Sequence, residues 1–362
     1  MKIGILGLAR SGKSTIFAAL TGQQPSEVLH PGKSRSNMAV VRVPDKRLDL
    51  VADMIKPAKV VHASVEYVDV AGVEKTEAVK RKGIPEEQIP ELSMTEALMA
   101  VIRAFDDGSG IPADVPGDLA TINLELILTD LSRIENRLPA LEKSIHKLGG
   151  KEQDKAKQEM EVLSRLRSCL EEEIPVRDVD LSEEEKKIVK GFSFLSEKPI
   201  LVLLNIDEKD LGRTREELLY KYNLPPEKEG FHYGIMCAEI EAEIAILSEE
   251  DKRDFLSSYS ISEPSASLII KLCYDLLGYI SFFTAGEREV HAWTVKEGAC
   301  AKEGAGKIHT DLEKGFIRAE VIRWDQLLED GGFTAARKNG HLRTEGKDYI
   351  VKDGDIMHIL HN

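Results

Sequence analysis

The chain has 362 residues, 31% of them charged, and a formal net charge of −14, which leaves room for two or three domains under an acidic surface. That balance excludes a broad electrostatic attraction to nucleic acid or anionic lipid and gives no sign of DNA sequence recognition, so any docking must be local. Cys169, Cys237, Cys273 and Cys300 show no metal-ligand spacing, the N-terminal apolar stretch is too short for a signal peptide, and no run approaches a membrane span, so a cytoplasmic protein with free thiols and no membrane partner is expected.

Lys2 to Leu6 is a short apolar, β-branched run that predicts a buried strand. Gly7-Leu8-Ala9-Arg10-Ser11-Gly12-Lys13-Ser14 then fits the phosphate-loop pattern, and Thr15 to Leu20 opens a helix. Glycine lets successive backbone N–H groups face one anion, and the helix adds its positive dipole end. In this frame Gly7, Ala9, Arg10, Ser11, Gly12, Lys13, Ser14 and Thr15 contact a nucleoside triphosphate. Lys13 reaches the β- and γ-phosphates as the catalytic cation, and the Ser14 hydroxyl holds Mg²⁺.

Residues 31–37 read as a polar loop and 39–43 as a strand. A helix is expected from Pro44-Asp45-Lys46-Arg47-Leu48, with Leu48, Val51, Ala52 and Ile55 on one face. A second strand over 63–70 ends in Asp69-Val70-Ala71-Gly72, the arrangement in which a strand-end aspartate joins the Mg²⁺ shell and a glycine N–H senses the γ-phosphate. Residues 74–95 read as a charged switch segment and 94–102 as a helix.

From Leu124 through Ile127, Leu131, Ile134, Leu138, Leu141 and Ile145 to Leu148, apolar residues alternate at three- and four-residue spacings. Gly149-Gly150 turns the chain, and Ala156, Met160, Leu163, Leu166 and Leu170 supply a returning helix. An antiparallel helical hairpin follows; two ordinary core helices would give the same pattern. Ser182 to Glu185 is a capping sequence, and 199–204 is a fully apolar strand of the parallel-sheet kind. That strand runs into Asn205-Ile206-Asp207-Glu208, where a base-reading loop belongs, and a strand over 233–238 leads to a second candidate loop at Ala238-Glu239. The last 82 residues look separate, with strands over 290–295, 316–322 and 349–351 and a hairpin turn at Asp353-Gly354 before 356–360. A small mixed sheet with one helix is the expected form.

Together these residues resemble the YchF subfamily of Obg-like P-loop NTPases. The resemblance is most specific in Phe283-Thr284-Ala285-Gly286, in the run from His309 to Glu320 and in Glu345 to Val351, which are similar to that family's C-terminal TGS domain, a ubiquitin-like β-grasp module. It implies an α/β fold in three parts. Residues 1–118 and 181–280 form a P-loop nucleotide-binding domain with a mostly parallel sheet. Residues 119–180 form an inserted antiparallel coiled-coil arm, and 281–362 the TGS domain. It further implies slow, Mg²⁺-dependent hydrolysis of ATP or GTP that regulates association with the ribosome or an RNA–protein complex. The alternative is a non-hydrolysing, nucleotide-responsive adaptor.

For the base, GTPases usually present Asn-Lys-x-Asp; here Ile206 replaces the lysine and Glu208 the aspartate. The longer Glu208 displaces its carboxylate from a guanine edge while Asn205 still pairs with an adenine amino group. ATP is therefore expected to bind at least as tightly as GTP, with Asn205, Ile206, Glu208 and Ala238 lining the site. Three departures from the family's pattern bear on hydrolysis. Pro31-Gly32-Lys33-Ser34 lacks the family's first-switch threonine, Val73 to Glu77 replaces a glycine-rich run, and Ala100 stands where the family carries a histidine. For partner docking, Lys314, Arg318, Arg323, Arg337, Lys338 and Arg343 form the candidate basic patch.

Overall fold

The computed structural model describes residues 1–23, 37–69, 84–258 and 263–362. The expected switch residues 31–34, 72–77 and 80–82, Gly72 included, lie outside them. Two compact units emerge, one of residues 1–39 and 66–269, the other of 40–65 and 270–362.

Among the described residues, twelve strands build two six-stranded sheets: β1 (Lys2–Gly7), β2 (Asn37–Arg42), β3 (Lys59–Val61), β4 (Ser64–Asp69), β5 (Ala97–Ala104), β6 (Ile200–Ile206), β7 (Phe231–Met236), β8 (Tyr279–Ala285), β9 (Glu289–Lys296), β10 (Phe316–Arg323), β11 (Arg343–Glu345) and β12 (Asp355–His361). The first sheet has the order β2-β4-β1-β5-β6-β7, and β4, β1, β5, β6 and β7 run parallel. A parallel sheet needs both faces covered, which explains why every residue of β6 is buried.

Residues 94–102 are not helical. Ala97–Ala104 is the central strand β5, buried at seven of its eight positions. Ala-Leu-Met-Ala carries helix propensity, and a strand buried on both faces shows no alternation to contradict it, so the tertiary setting decides. Ala100 is consequently 0% exposed, opposite Leu6 of β1 and Val202 of β6, inside an apolar cluster.

α1 (Lys13–Thr21) follows β1, and α2 (Lys46–Ile55) follows β2, capped by the Asp45 carboxylate, which accepts from Arg47 N–H. α3 (Ile89–Ser93) precedes β5. α4 (Val115–Ile145) and α5 (Gly150–Glu171) form the helical hairpin. α4 divides its apolar residues between two neighbours: Leu119, Ile122 and Leu126 belong to the sheet's core, whereas Ile127, Ile134, Leu138, Leu141 and Ile145 pack with Ala156, Leu163, Leu166 and Leu170 of α5. Leu124, the first residue of the expected seam, is exposed.

The base of the hairpin is tied by polar contacts. The fully buried Asp130 accepts from the N–H groups of Leu195 (2.8 Å) and Ser196 (2.6 Å). Arg133 donates to the carbonyls of Phe192 and Ser193 and to Ser93 Oγ at the end of α3. Burial still pushes the Asp130 carboxyl above its usual range, and the hydrogen bonds from Leu195 and Ser196 offset part of that desolvation.

The second sheet has the order β11-β10-β12-β8-β9-β3. The expected hairpin at Asp353-Gly354 is absent. β12 instead runs antiparallel to β10 and parallel to β8, and 349–351 contributes only an isolated bridge from Ile350 to Cys300. More than one helix accompanies this sheet: α6 (Ala301–Ile308), α7 (Thr310–Lys314), α8 (Trp324–Asp330) and α9 (Phe333–Asn339) lie in the C-terminal residues, and α2 joins them. α2 packs on α8, β8 and β9, while β3 pairs with β9 as the sheet's edge. The Asp353 carboxylate takes two N–H groups of Arg47, at 2.6 and 3.1 Å, and the guanidinium lies 5.6 Å above the Phe283 ring. Asp45 and Asp353 keep that guanidinium firmly protonated against the desolvation that burial imposes. Between β2 and β4, α2 and β3 (residues 46–61) therefore complete the C-terminal sheet, while the strands on either side of them stay in the first sheet.

Candidate nucleotide site

β1 delivers Gly7 into a loop in which Gly12 takes φ 83° and caps α1 without a side-chain hydrogen bond. A Cβ at Gly12 would stand 2.1 Å from Asn205 Nδ2, and one at Gly7 2.9 Å from the Val101 carbonyl oxygen. Both positions thus require glycine, the first for its backbone angle as well. The loop is closed by Ser11 N–H donating to the Leu8 carbonyl at 3.1 Å, and the helix opens with Ile16 N–H on the Gly12 carbonyl at 2.9 Å. The first N–H groups of α1 have no carbonyl of their own helix to bond, the basis of anion binding at such termini.

Lys13 and Asp69 are 8% and 7% exposed, and the lysine Nζ is ion-paired to the Asp69 carboxylate. Register explains the meeting: Asp69 ends β4 opposite Ile5 of β1, so the carboxylate arrives beside the loop that β1 enters. The donor set fits a magnesium triphosphate. Ser14 and Asp69 offer hard oxygens of the kind Mg²⁺ takes, Lys13 and the helix terminus offer positive potential, and the buried Ser11 Oγ has no hydrogen-bond partner.

Next to the loop lies a cavity of about 480 Å³ whose lining includes Gly12, Thr15, Phe105, Asn205, Ile206 and Ala238, with Asp106, Asp207, Glu208 and Glu239 as its acidic groups. Asn205, 4% exposed, is a brace across its floor. Its Nδ2 donates to the Ser11 carbonyl at 3.1 Å and its Oδ1 accepts from Ala238 N–H at 3.0 Å. The two partners fix the amide's orientation, because only oxygen can accept from the Ala238 N–H. Both ends of Asn205 are thus engaged by protein, and its direct reach to a base is smaller than its sequence position suggests. Glu208 is exposed in the 3₁₀ turn Glu208–Asp210. Asp207 caps that turn on Lys209 N–H and pairs with Lys209 Nζ at 3.0 Å; these hydrogen bonds hold its carboxyl below the usual range.

Phe105 and Asp106, which follow β5, were missed by sequence reasoning because their strand read as a helix. Gly12, Thr15, Asn205, Ile206, Glu208 and Ala238 converge on the cavity, whereas Gly7, Ser11 and Lys13 lie on the loop side. Ala9 and Arg10 are exposed on the loop's crest. Three of the six cations in the candidate basic patch are ion-paired: Arg323 with Asp325, Arg337 with Glu320 and Arg343 with Glu345. Among the described residues no group of three or more His, Cys, Asp or Glu side chains is placed to hold a metal, and no helix is long and apolar enough to cross a membrane.

Residues 279–362 match the family YchF-GTPase_C, described as a protein of unknown function (DUF933). The chain is 39% identical over 369 residues to the "Ribosome-binding ATPase YchF" of Bacillus subtilis, covering 99% of this chain and 98% of that protein. It is also 39% identical to the protein of that name from Escherichia coli O157:H7, over 100% of this chain and 99% of that one. The solved structure of the Schizosaccharomyces pombe YchF GTPase superposes with a TM-score of 0.83 at 29% identity, covering 99% of this chain and 97% of that one.

Proposed function

The chain belongs to the YchF family, and from that premise we propose that it is a Mg²⁺-dependent nucleoside triphosphatase, favouring ATP, whose nucleotide state governs docking on the ribosome. The observation that carries the reading is the meeting of Lys13, Asp69 and the uncapped start of α1 at the ends of two parallel strands. Hydrolysis on such a loop is almost entirely positioning and electrostatics. Lys13 exchanges Asp69 for the β- and γ-phosphates, the N–H groups of the loop and of α1 orient the triphosphate, and Ser14 and Asp69 hold the metal. Bound Mg²⁺ neutralises charge on the phosphate oxygens. Ala100 is buried within the sheet and offers no polar atom, so on this reading turnover rests on the loop's own groups.

The test is phosphate release from MgATP, with Lys13→Ala as control. Wild type turns over and the variant does not; equal release by both would refute the assignment. MgATP at about 100 times its dissociation constant also raises stability by about 2.7 kcal/mol through mass action.

Base preference follows from the acidic rim of the cavity, where Glu208 stands in place of the GTPase aspartate. In competition binding ATP is at least as tight as GTP, and Glu208→Asp moves the balance toward GTP. A wild-type preference for GTP overturns this part. Nucleotide binding belongs to residues 1–118 and 181–280 apart from the 40–65 excursion. The helical hairpin and the C-terminal unit serve as the docking surfaces, in the cytoplasm where ribosomes are met.

A further inference from the structure

Arg10 holds φ 64°, a left-handed conformation that glycine takes freely and that crowds the Cβ of an arginine. Backbone of this kind persists where a side chain is needed, and it concentrates at functional sites. The guanidinium is not packed: it is 70% exposed and touches the protein through Asp107 Oδ2 at 3.6 Å. Asp107 is itself a fixed anion, held by Arg103 at 3.0 Å and by the hydroxyl and N–H of Ser109, whose hydrogen bonds keep its carboxyl below the usual range. With its arginine end in solvent, a pair of that length is weak and exchangeable. Within the phosphate loop, residues 7–15, Arg10 and Lys13 are the two cations. Lys13 is committed to the site's interior, while Arg10 stands on the crest three residues earlier.

We propose that Arg10 is an arginine finger supplied in cis: on triphosphate binding it leaves Asp107 and donates its fork of N–H groups to the γ-phosphoryl and bridging oxygens. Its planar, permanently charged guanidinium matches that geometry, and it stands on the same loop that is proposed to hold the phosphates. In the step it serves, a water oxygen forms a bond to Pγ while the bond from Pγ to the bridging oxygen breaks. The electron pair stays on the β-phosphate of ADP, and the water's proton leaves with inorganic phosphate and solvent. Arg10 transfers no proton; it stabilises charge that grows in the transition state. Such a group would supply transition-state charge stabilisation in a chain whose position 100 is an alanine. The inference rests on the hydrolase reading above.

The experiment compares wild type, Arg10→Gly and Arg10→Lys. Glycine suits the left-handed angle, so that variant keeps the loop's fold. Single-turnover rates at saturating MgATP, the dissociation constant of ATP, and that of ADP with aluminium fluoride are measured for each. Fingers contribute on the order of 10³–10⁵ in rate. Arg10→Gly is expected to lose at least about 100-fold in rate and the tight fluoroaluminate complex, with ATP affinity within about threefold of wild type. Arg10→Lys retains part of both. An Arg10→Gly protein that hydrolyses ATP and captures fluoroaluminate like wild type overturns the finger and leaves the hydrolase reading standing. Rate and ATP affinity falling together would make Arg10 a ground-state binding group and also overturn it. Wild type that binds MgATP without turnover overturns both.

Discussion

A chain cut before Tyr279 is expected to unfold at a markedly lower temperature than the full protein, and to lose more than a detachable tail. The cut removes β8, β9 and α8, against which α2 packs, and β9, on which β3 pairs. Leu48 and Val51 are fully buried and Ala52 nearly so. Exposing the two larger side chains costs about 1.5–3 kcal/mol each. The same cut leaves Arg47 without Asp353 and without the Phe283 ring. Together these approach the whole stability of an ordinary domain, about 5–15 kcal/mol. The stranded residues 46–61 also lie on the path from β2 to β4, whose last residue is Asp69, so the site itself should feel the loss. Calorimetry and ATP binding on the truncated chain check this, with Arg47→Met in the full chain as the milder variant. A truncated chain with an undisturbed transition and full ATP affinity would show that α2 has another partner.

The second large effect is expected at Asn205. Asn205→Ala strands the buried Ala238 N–H and frees the Ser11 carbonyl, and each buried orphan costs about 1–3 kcal/mol. The loop and the start of the helix at Ala238 then lose their common brace. ATP and GTP affinity should fall together, by about tenfold or more, since 1.4 kcal/mol is a factor of ten. Asn205→Asp keeps an acceptor for Ala238 but sets an anionic oxygen against the Ser11 carbonyl and beside the phosphate loop. It should weaken the triphosphate further. Titration with both nucleotides distinguishes a brace from a base reader: a loss confined to ATP would mean that Asn205 recognises adenine after all, and the shared amide would not be its main role.

Sequence alone determined the parts whose chemistry is local. The loop of residues 7–14 is a contiguous octapeptide, and it joins a strand to a helix as its local pattern predicted. The hairpin's apolar spacing, the Ser182 cap and the buried strand ending at Asn205 were legible for the same reason: each depends on neighbours a few residues away. Tertiary structure decided whatever depends on a remote partner. Ala97 to Ala104 became the central strand because β1 and β6 flank it, against its own propensity. Asn205 turned out to be a brace because Ser11, 194 residues earlier, meets its amide. Residues 46–61 joined the C-terminal sheet because Arg47 finds Asp353 across 306 residues of chain and β3 finds β9. Such pairings leave no periodic trace, since burial and hydrogen bonding between distant segments are satisfied only once the chain has closed on itself.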